Sequence, residues 1–124
     1  MIGAVDIGGT KIAVGVVDDN GKVLARAETP TDPENYAAGF DAIVRMLRQT
    51  EKDSSAKLRG IGIGSTGPID PIRGEFGDVD FLPGWRGKGL VRDLEDRFKL
   101  NAALENDGDA AALAEAGWGA ADFA

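Results

Sequence analysis

The sequence contains no cysteine and no histidine in 124 residues. Without cysteine, neither disulfides nor thiolate metal sites can form within the chain, which fits a reducing compartment and sets a cytoplasmic expectation. Without histidine, the usual general base near neutral pH is missing. Proton transfer would then fall to a carboxylate or a lysine. Basic side chains are also in the minority, 14 against 21 acidic ones, for a net charge of −7. An acidic surface repels nucleic-acid phosphates and anionic lipid, so neither is expected as a partner. An anionic nucleotide would need local help from backbone N–H groups and a metal ion. No apolar run approaches the length of a membrane span. The opening Met1-Ile2-Gly3-Ala4-Val5-Asp6 is too short and too quickly charged for a signal peptide.

What is present suits one domain, residues 1–124. Folding a chain of this size buries roughly two-thirds of the surface that the unfolded chain exposes. The hydrophobic fraction of 43% and the charged fraction of 28% are ordinary for a globular chain with a core. The 18 glycines are not periodic. They gather at 8–9, 60–67 and 84–89, where backbone is expected to turn sharply or to approach something closely.

Residues 2–7, 12–17 and 22–28 read as three short strands joined by Gly8-Gly9 and by Asp18-Asp19-Asn20-Gly21, an antiparallel meander. A helix over 34–51 carries Phe40, Ile43, Val44 and Leu47 on one stripe. A buried strand over 58–65 follows, then a turn-rich stretch with a short hairpin around Arg73-Gly74. A second helix fits 90–99, with Leu90, Val91, Leu94 and Phe98 inward, before a strand over 101–105. A third helix runs from 106 or 107 to about 117. The order βββαβαβα implies an α/β fold built on a mixed five-stranded sheet with helices on its faces. There is no internal repeat, low-complexity tract or linker.

Four segments carry candidate chemistry. In Asp6-Ile7-Gly8-Gly9-Thr10-Lys11, two glycines turn the backbone and point N–H groups outward. Thr10 adds a hydroxyl and Lys11 a cation, and Asp6 suits Mg²⁺ held through water. A plain Gly-Gly hairpin with Asp6 as turn former reads as well. Gly60 to Pro68 ends a strand in Gly64-Ser65, where missing side chains let a small polar ligand touch backbone. Close helix packing would demand the same glycines. Glu105-Asn106-Asp107-Gly108-Asp109 sits where a strand gives way to a helix. Asp107 suits a catalytic base for a sugar hydroxyl and Asn106 an amide ligand. Helix capping explains the same residues. Trp85, in Leu82-Pro83-Gly84-Trp85, is expected as a core aromatic rather than as a wall of a sugar site.

Together, Asp6 to Lys11, Gly62 to Asp70, Leu82 to Trp85 and Glu105 to Glu115 closely resemble the ROK family of sugar kinases and repressors. The resemblance spans essentially the whole chain. It implies the actin-like, ribonuclease-H-like fold, in which two lobes close over ATP and a sugar. It also implies residue roles. Gly8, Gly9, Thr10 and Lys11 match the first phosphate motif, with Asp6 as the Mg²⁺ carboxylate. Gly64 and Ser65 match the segment lining the sugar site. Asn106 and Asp107 match sugar ligands, with Asp107 as catalytic base. Two positions depart from the family pattern: Asp109 and Phe81 stand where many members have asparagine.

Family members are much longer. Their second lobe holds a glutamate–histidine pair, a cysteine-rich zinc site and the adenosine pocket, none of which this chain can supply. The resemblance therefore implies the N-terminal lobe of an ATP:hexose phosphotransferase, acting on glucose or a related aldohexose and inactive alone. Any zinc site would lie in the missing lobe. Homo-oligomers are expected. A sugar-responsive repressor of the same family is a second reading, although such repressors add a DNA-binding segment before the first strand. An actin-like nucleotide-binding scaffold is a third, and it leaves Asn106-Asp107 unexplained.

Overall fold

The computed structural model describes residues 1–65, 69–70, 72–77 and 82–105. Strands β1 (Ile2–Ile7), β2 (Lys11–Val17) and β3 (Val23–Pro30) come first, followed by helix α1 (Tyr36–Asp53) and strand β4 (Gly60–Ser65). Two short strands, β5 (Ile69–Asp70) and β6 (Glu75–Phe76), pair with each other around the expected turn. A single 3-10 turn over Pro83–Trp85 leads to helix α2 (Leu90–Phe98) and strand β7 (Asn101–Glu105). The main sheet has the order β3-β2-β1-β4-β7. β2 is antiparallel to β1 and β3, whereas β1, β4 and β7 are parallel. This is the mixed five-stranded sheet expected from the strand and helix alternation. The expected third helix falls outside the described residues.

Alternation decides which side of the sheet is core. In β2, Ile12, Val14 and Val16 are fully buried; they pair with Ile7, Val5 and Gly3 of β1, and Val5 and Gly3 pair in turn with Ile63 and Ile61 of β4. These side chains form one cluster with Ile43, Met46 and Leu47 of α1 and with Leu90 and Leu94 of α2. Both helices therefore cover the same face. Gly3 lies under α1, and a Cβ there would stand 2.8 Å from Leu47 Cδ2. The opposite face carries Ile2, Ala4 and Val17 as a second, smaller cluster, beside the run Gly60, Gly62 and Gly64.

Local hydrogen bonds set the element ends. The β2–β3 turn closes through Asp18, whose carboxylate accepts from the N–H groups of Asn20 and Lys22, while Gly21 takes φ +82°. Helix α1 begins two residues later than its apolar pattern suggests. Asp32 Oδ1 accepts the Glu34 N–H at 3.1 Å, holding Glu34 in a turn, and Asn35 then caps the helix by accepting from Ala38 N. On α1, Ile43, Val44 and Leu47 are buried as expected, Gly39, Ala42, Met46 and Thr50 are buried with them, and Phe40 is only partly so. Strand β4 starts at Gly60 rather than 58, because the Leu58 N–H is taken by the Glu51 carboxylate at 2.9 Å.

Tyr36 is the sole tyrosine. Its hydroxyl donates to Asp93 at 2.7 Å, and its ring packs edge-on against Trp85. Burial pushes the phenol well above the usual tyrosine range. The hydrogen bond to Asp93 and that carboxylate's charge add to the effect, and nearby Arg92 opposes it. The folded state holds the proton more tightly than the unfolded state. The linked stability is therefore complete below about pH 10, the unfolded value, and declines as pH rises toward the folded one. An alkaline absorbance titration is expected to show no phenolate in the folded chain at about pH 11, with the signal appearing together with unfolding. Phenolate absorbance in a chain still folded by circular dichroism would contradict this assignment.

Candidate functional site

The parallel strands β1, β4 and β7 end on one side of the sheet, the side where α/β folds offer a crevice to ligands. Register places Asp6 beside Gly64, and Gly64 beside Glu105. Ile7 is level with Ser65. Thus the first and second candidate segments meet at one strand end. β7 finishes at Glu105, the residue before Asn106. Asn106, Asp107, Phe81 and Asp109 themselves lie outside the described residues.

The Gly8-Gly9-Thr10 turn joins β1 to β2, which start and finish at this edge. Neither Gly8 nor Gly9 has a positive φ; among the described residues, the glycines that do are Gly21, Gly74 and Gly87. The demand at Gly8 is space, since a Cβ would come within 3.2 Å of the Lys11 carbonyl. The Gly8 N–H donates to that same carbonyl at 3.0 Å, closing the turn. That N–H is directed inward, which differs from the outward orientation expected for both glycines. Among the described residues, no carbonyl accepts from Gly9 N–H or Thr10 N–H. These two are the amides left for an anion.

Lys11 is exposed and reaches Glu28 at 3.5 Å, and Arg26 shares the same carboxylate at 3.7 Å. An exposed pair of this kind contributes only about 0–1 kcal/mol. Its release to a phosphate would therefore cost little. Asp6 is half-buried at the end of β1, next to a glycine that leaves room at its side. Ser65 is fully buried. No group of three or more acidic, histidine or cysteine side chains gathers among the described residues. A hard cation here would rest on one carboxylate and complete its shell with water and ligand oxygens, as Mg²⁺ commonly does.

Trp85 is fully buried, as expected of a core aromatic, and forms no wall of a sugar site. Its ring packs against Tyr36 and Phe76, and its Nε1–H donates to the Asp32 carbonyl at 3.0 Å. Gly84 N–H donates to the Pro33 carbonyl at 2.9 Å. These bonds tie the segment around 82–85 to the loop between β3 and α1. That loop in turn touches the glycine turn, because Thr31 bonds both Gly8 and Thr10. Sequence reasoning missed Thr31, whose only local signal is its place just past the end of β3.

A cavity of about 520 Å³ lies at the other end of the sheet, lined by Arg48, Glu51, Lys57, Phe98 and Leu100 among others. Its cations stand near the C-terminal ends of α1 and α2, where positive charge complements the helix dipole. It is not part of the strand-end site. No helix among the described residues is long and apolar enough to cross a membrane.

Comparison with known proteins adds an independent line. The sequence model of the ROK family matches residues 2–123. A glucokinase of Streptomyces coelicolor is 39% identical over 115 residues, covering 90% of this chain and 34% of that protein. An N-acetyl-D-glucosamine kinase of Salmonella newport is 33% identical over 111 residues, covering 90% of this chain and 36% of that protein. The solved ROK hexokinase of Thermus thermophilus matches with a TM-score of 0.80 at 34% identity, over 94% of this chain and 38% of that one. A ROK family glucokinase from Streptomyces griseus, solved in complex with glucose and AMPPNP, matches with a TM-score of 0.72 at 35% identity, over 97% of this chain and 37% of that one. The chain thus spans about a third of the length of the curated relatives it matches.

Proposed function

The chain belongs to the ROK family, and from that premise we propose that it is the N-terminal, phosphate- and sugar-contacting lobe of an ATP-dependent hexose kinase. The reaction is transfer of the ATP γ-phosphoryl group to a hydroxyl of glucose or a related aldohexose. The observation that carries this reading is the glycine turn at the strand ends, where Gly9 N–H and Thr10 N–H are uncommitted to backbone carbonyls of the described residues. Phosphoryl transfer depends on positioning and charge stabilisation, and such a turn supplies fixed donors for phosphate oxygens.

In this reading Gly8 shapes the turn, and Gly9 and Thr10 donate to the phosphates. Lys11 exchanges Glu28 for a phosphate oxygen. Asp6 would hold Mg²⁺ through water, and the ion would neutralise phosphate charge. Gly64 and Ser65 line the sugar site. Asn106 binds sugar hydroxyls, and Asp107 takes the proton from the hydroxyl that attacks. The relatives that act on glucose and on N-acetyl-D-glucosamine support a sugar as substrate. The AMPPNP complex of a similar glucokinase supports ATP as donor. The absence of cysteine suits a cytoplasmic protein, and homo-oligomers are part of the same proposal.

The 124-residue chain is expected to have no measurable ATP-dependent glucose kinase activity, because half a cleft cannot exclude water or assemble the remaining ligands. The protein with both lobes is expected to phosphorylate glucose or another aldohexose in a coupled ADP-release assay. Sugar-dependent DNA binding without phosphorylation of any aldohexose would replace this reading with the repressor. Turnover by the isolated chain would overturn the half-site claim.

A further inference from the structure

We propose that Thr31 is the positioning residue of the glycine turn, setting the direction of the Gly9 amide that meets phosphate. The inference rests on the phosphate-loop reading given above. Its geometry is independent of that reading.

Thr31 follows the last β2–β3 pair, Lys11 with Pro30. Its hydroxyl donates to the Gly8 carbonyl at 2.9 Å, and its N–H donates to the Thr10 carbonyl at 2.9 Å. One residue therefore holds two carbonyls of a three-residue turn. A trans peptide is planar, with its C=O and N–H pointing in opposite directions. The Gly8 carbonyl shares its plane with the Gly9 N–H. Pinning that oxygen on Thr31 turns the Gly9 N–H away from the β3–α1 loop. By the same rule, pinning the Thr10 carbonyl orients the Lys11 N–H.

Two adjacent glycines lose more backbone freedom on ordering than any other pair. Unless that cost is met in the folded chain, it falls on ligand binding. Thr31 can meet it because it is itself anchored. The next residue, Asp32, accepts the Nε1–H of buried Trp85, and Pro33 accepts the Gly84 N–H. A connected path thus runs from the hydrophobic core through 31–33 to the turn.

The test uses the 124-residue chain with Thr31→Val, which removes the hydroxyl and keeps the shape and N–H, and with Thr31→Ser, which keeps the hydroxyl. ¹⁵N relaxation of this chain reports the order of the turn, and titration of the two-lobed protein carrying the same substitutions with Mg·AMPPNP reports the affinity. In Thr31→Val, the Gly9 order parameter is expected to fall from about 0.85 toward about 0.6, the difference between rigid and flexible backbone. Affinity for Mg·AMPPNP is expected to drop about fivefold, the loss typical of one hydrogen bond. Thr31→Ser is expected to match the wild type in both.

Unchanged order of the turn in Thr31→Val overturns the proposal. So does an equal loss of order at Val5 and Ile63, which would make Thr31 a support of the whole sheet. A two-lobed wild-type protein that fails to bind Mg·AMPPNP, with the turn ordered, refutes the phosphate-loop reading instead. The relaxation data then still decide whether Thr31 orders the turn.

Discussion

Replacing Gly84 with alanine is expected to lower the stability of the chain by about 3 kcal/mol, at the upper end of the range for overpacked sites. A Cβ at Gly84 would stand 2.6 Å from Glu34 Cα and closer still to the Glu34 carbonyl. The obstacle is backbone, so no side chain can rotate aside. Nor can the segment simply shift, because Gly84 N–H holds the Pro33 carbonyl and Trp85 Nε1–H holds the Asp32 carbonyl. Two contrasts isolate the mechanism. Gly87 has φ +71° with nothing within 4 Å of an added Cβ, so Gly87→Ala meets left-handed strain alone, about 1–2 kcal/mol. Gly39 lies in α1, where alanine would add about 1 kcal/mol of helix propensity. Yet a Cβ there would stand 2.7 Å from Trp85 Cη2 and closer to Cζ2, so Gly39→Ala is also expected to destabilise. Urea denaturation of the three variants measures the order. Gly84→Ala at or below the cost of Gly87→Ala would show that the two loops are not in fixed contact.

These contacts also mark where sequence reading stops. The meander, the Asn20-Gly21 turn and the buried place of Trp85 were legible because each rests on local chemistry or on a short period. The start of α1 was not, since Asp32 diverts Glu34 through a side-chain bond that no apolar period records. The buried stripe on α1 is wider than its apolar period for a related reason. Trp85 lies across Gly39, about fifty residues away in sequence, and the ring rather than Phe40 fills that part of the face. In the site, the turn residues were found through glycine and charge. The roles within the turn depended on through-space geometry. Gly8 is committed inward to Lys11, and Thr31, distant in sequence, holds the opposite carbonyls. Composition contributed something the fold does not: the lack of histidine leaves a carboxylate or a lysine for proton transfer by this chain's own residues.

In the two-lobed kinase, Asp107→Asn is expected to reduce kcat on the order of 10²- to 10⁴-fold, the usual contribution of a positioned general base. The amide keeps the size of the carboxylate and can still bond a hydroxyl, but it cannot take the proton at neutral pH. KM for the sugar is therefore expected to change by less than about threefold, since an interaction specific to the transition state has been removed. The described fold supports this placement up to the preceding residue. β7 runs parallel to β4 and ends at Glu105 beside Gly64, which is itself beside Asp6. The described part of β7 thus ends at the same strand ends as the glycine turn. The phosphoryl donor and the hydroxyl acceptor would then be held from β1 and β7, the two strands that flank β4 in one sheet. Steady-state kinetics with varied sugar and ATP separate the outcomes. Unchanged kcat removes Asp107 from the base role. A rise in KM with kcat preserved would make it a sugar ligand only. A large fall in kcat at nearly constant KM is the result that a carboxylate base requires.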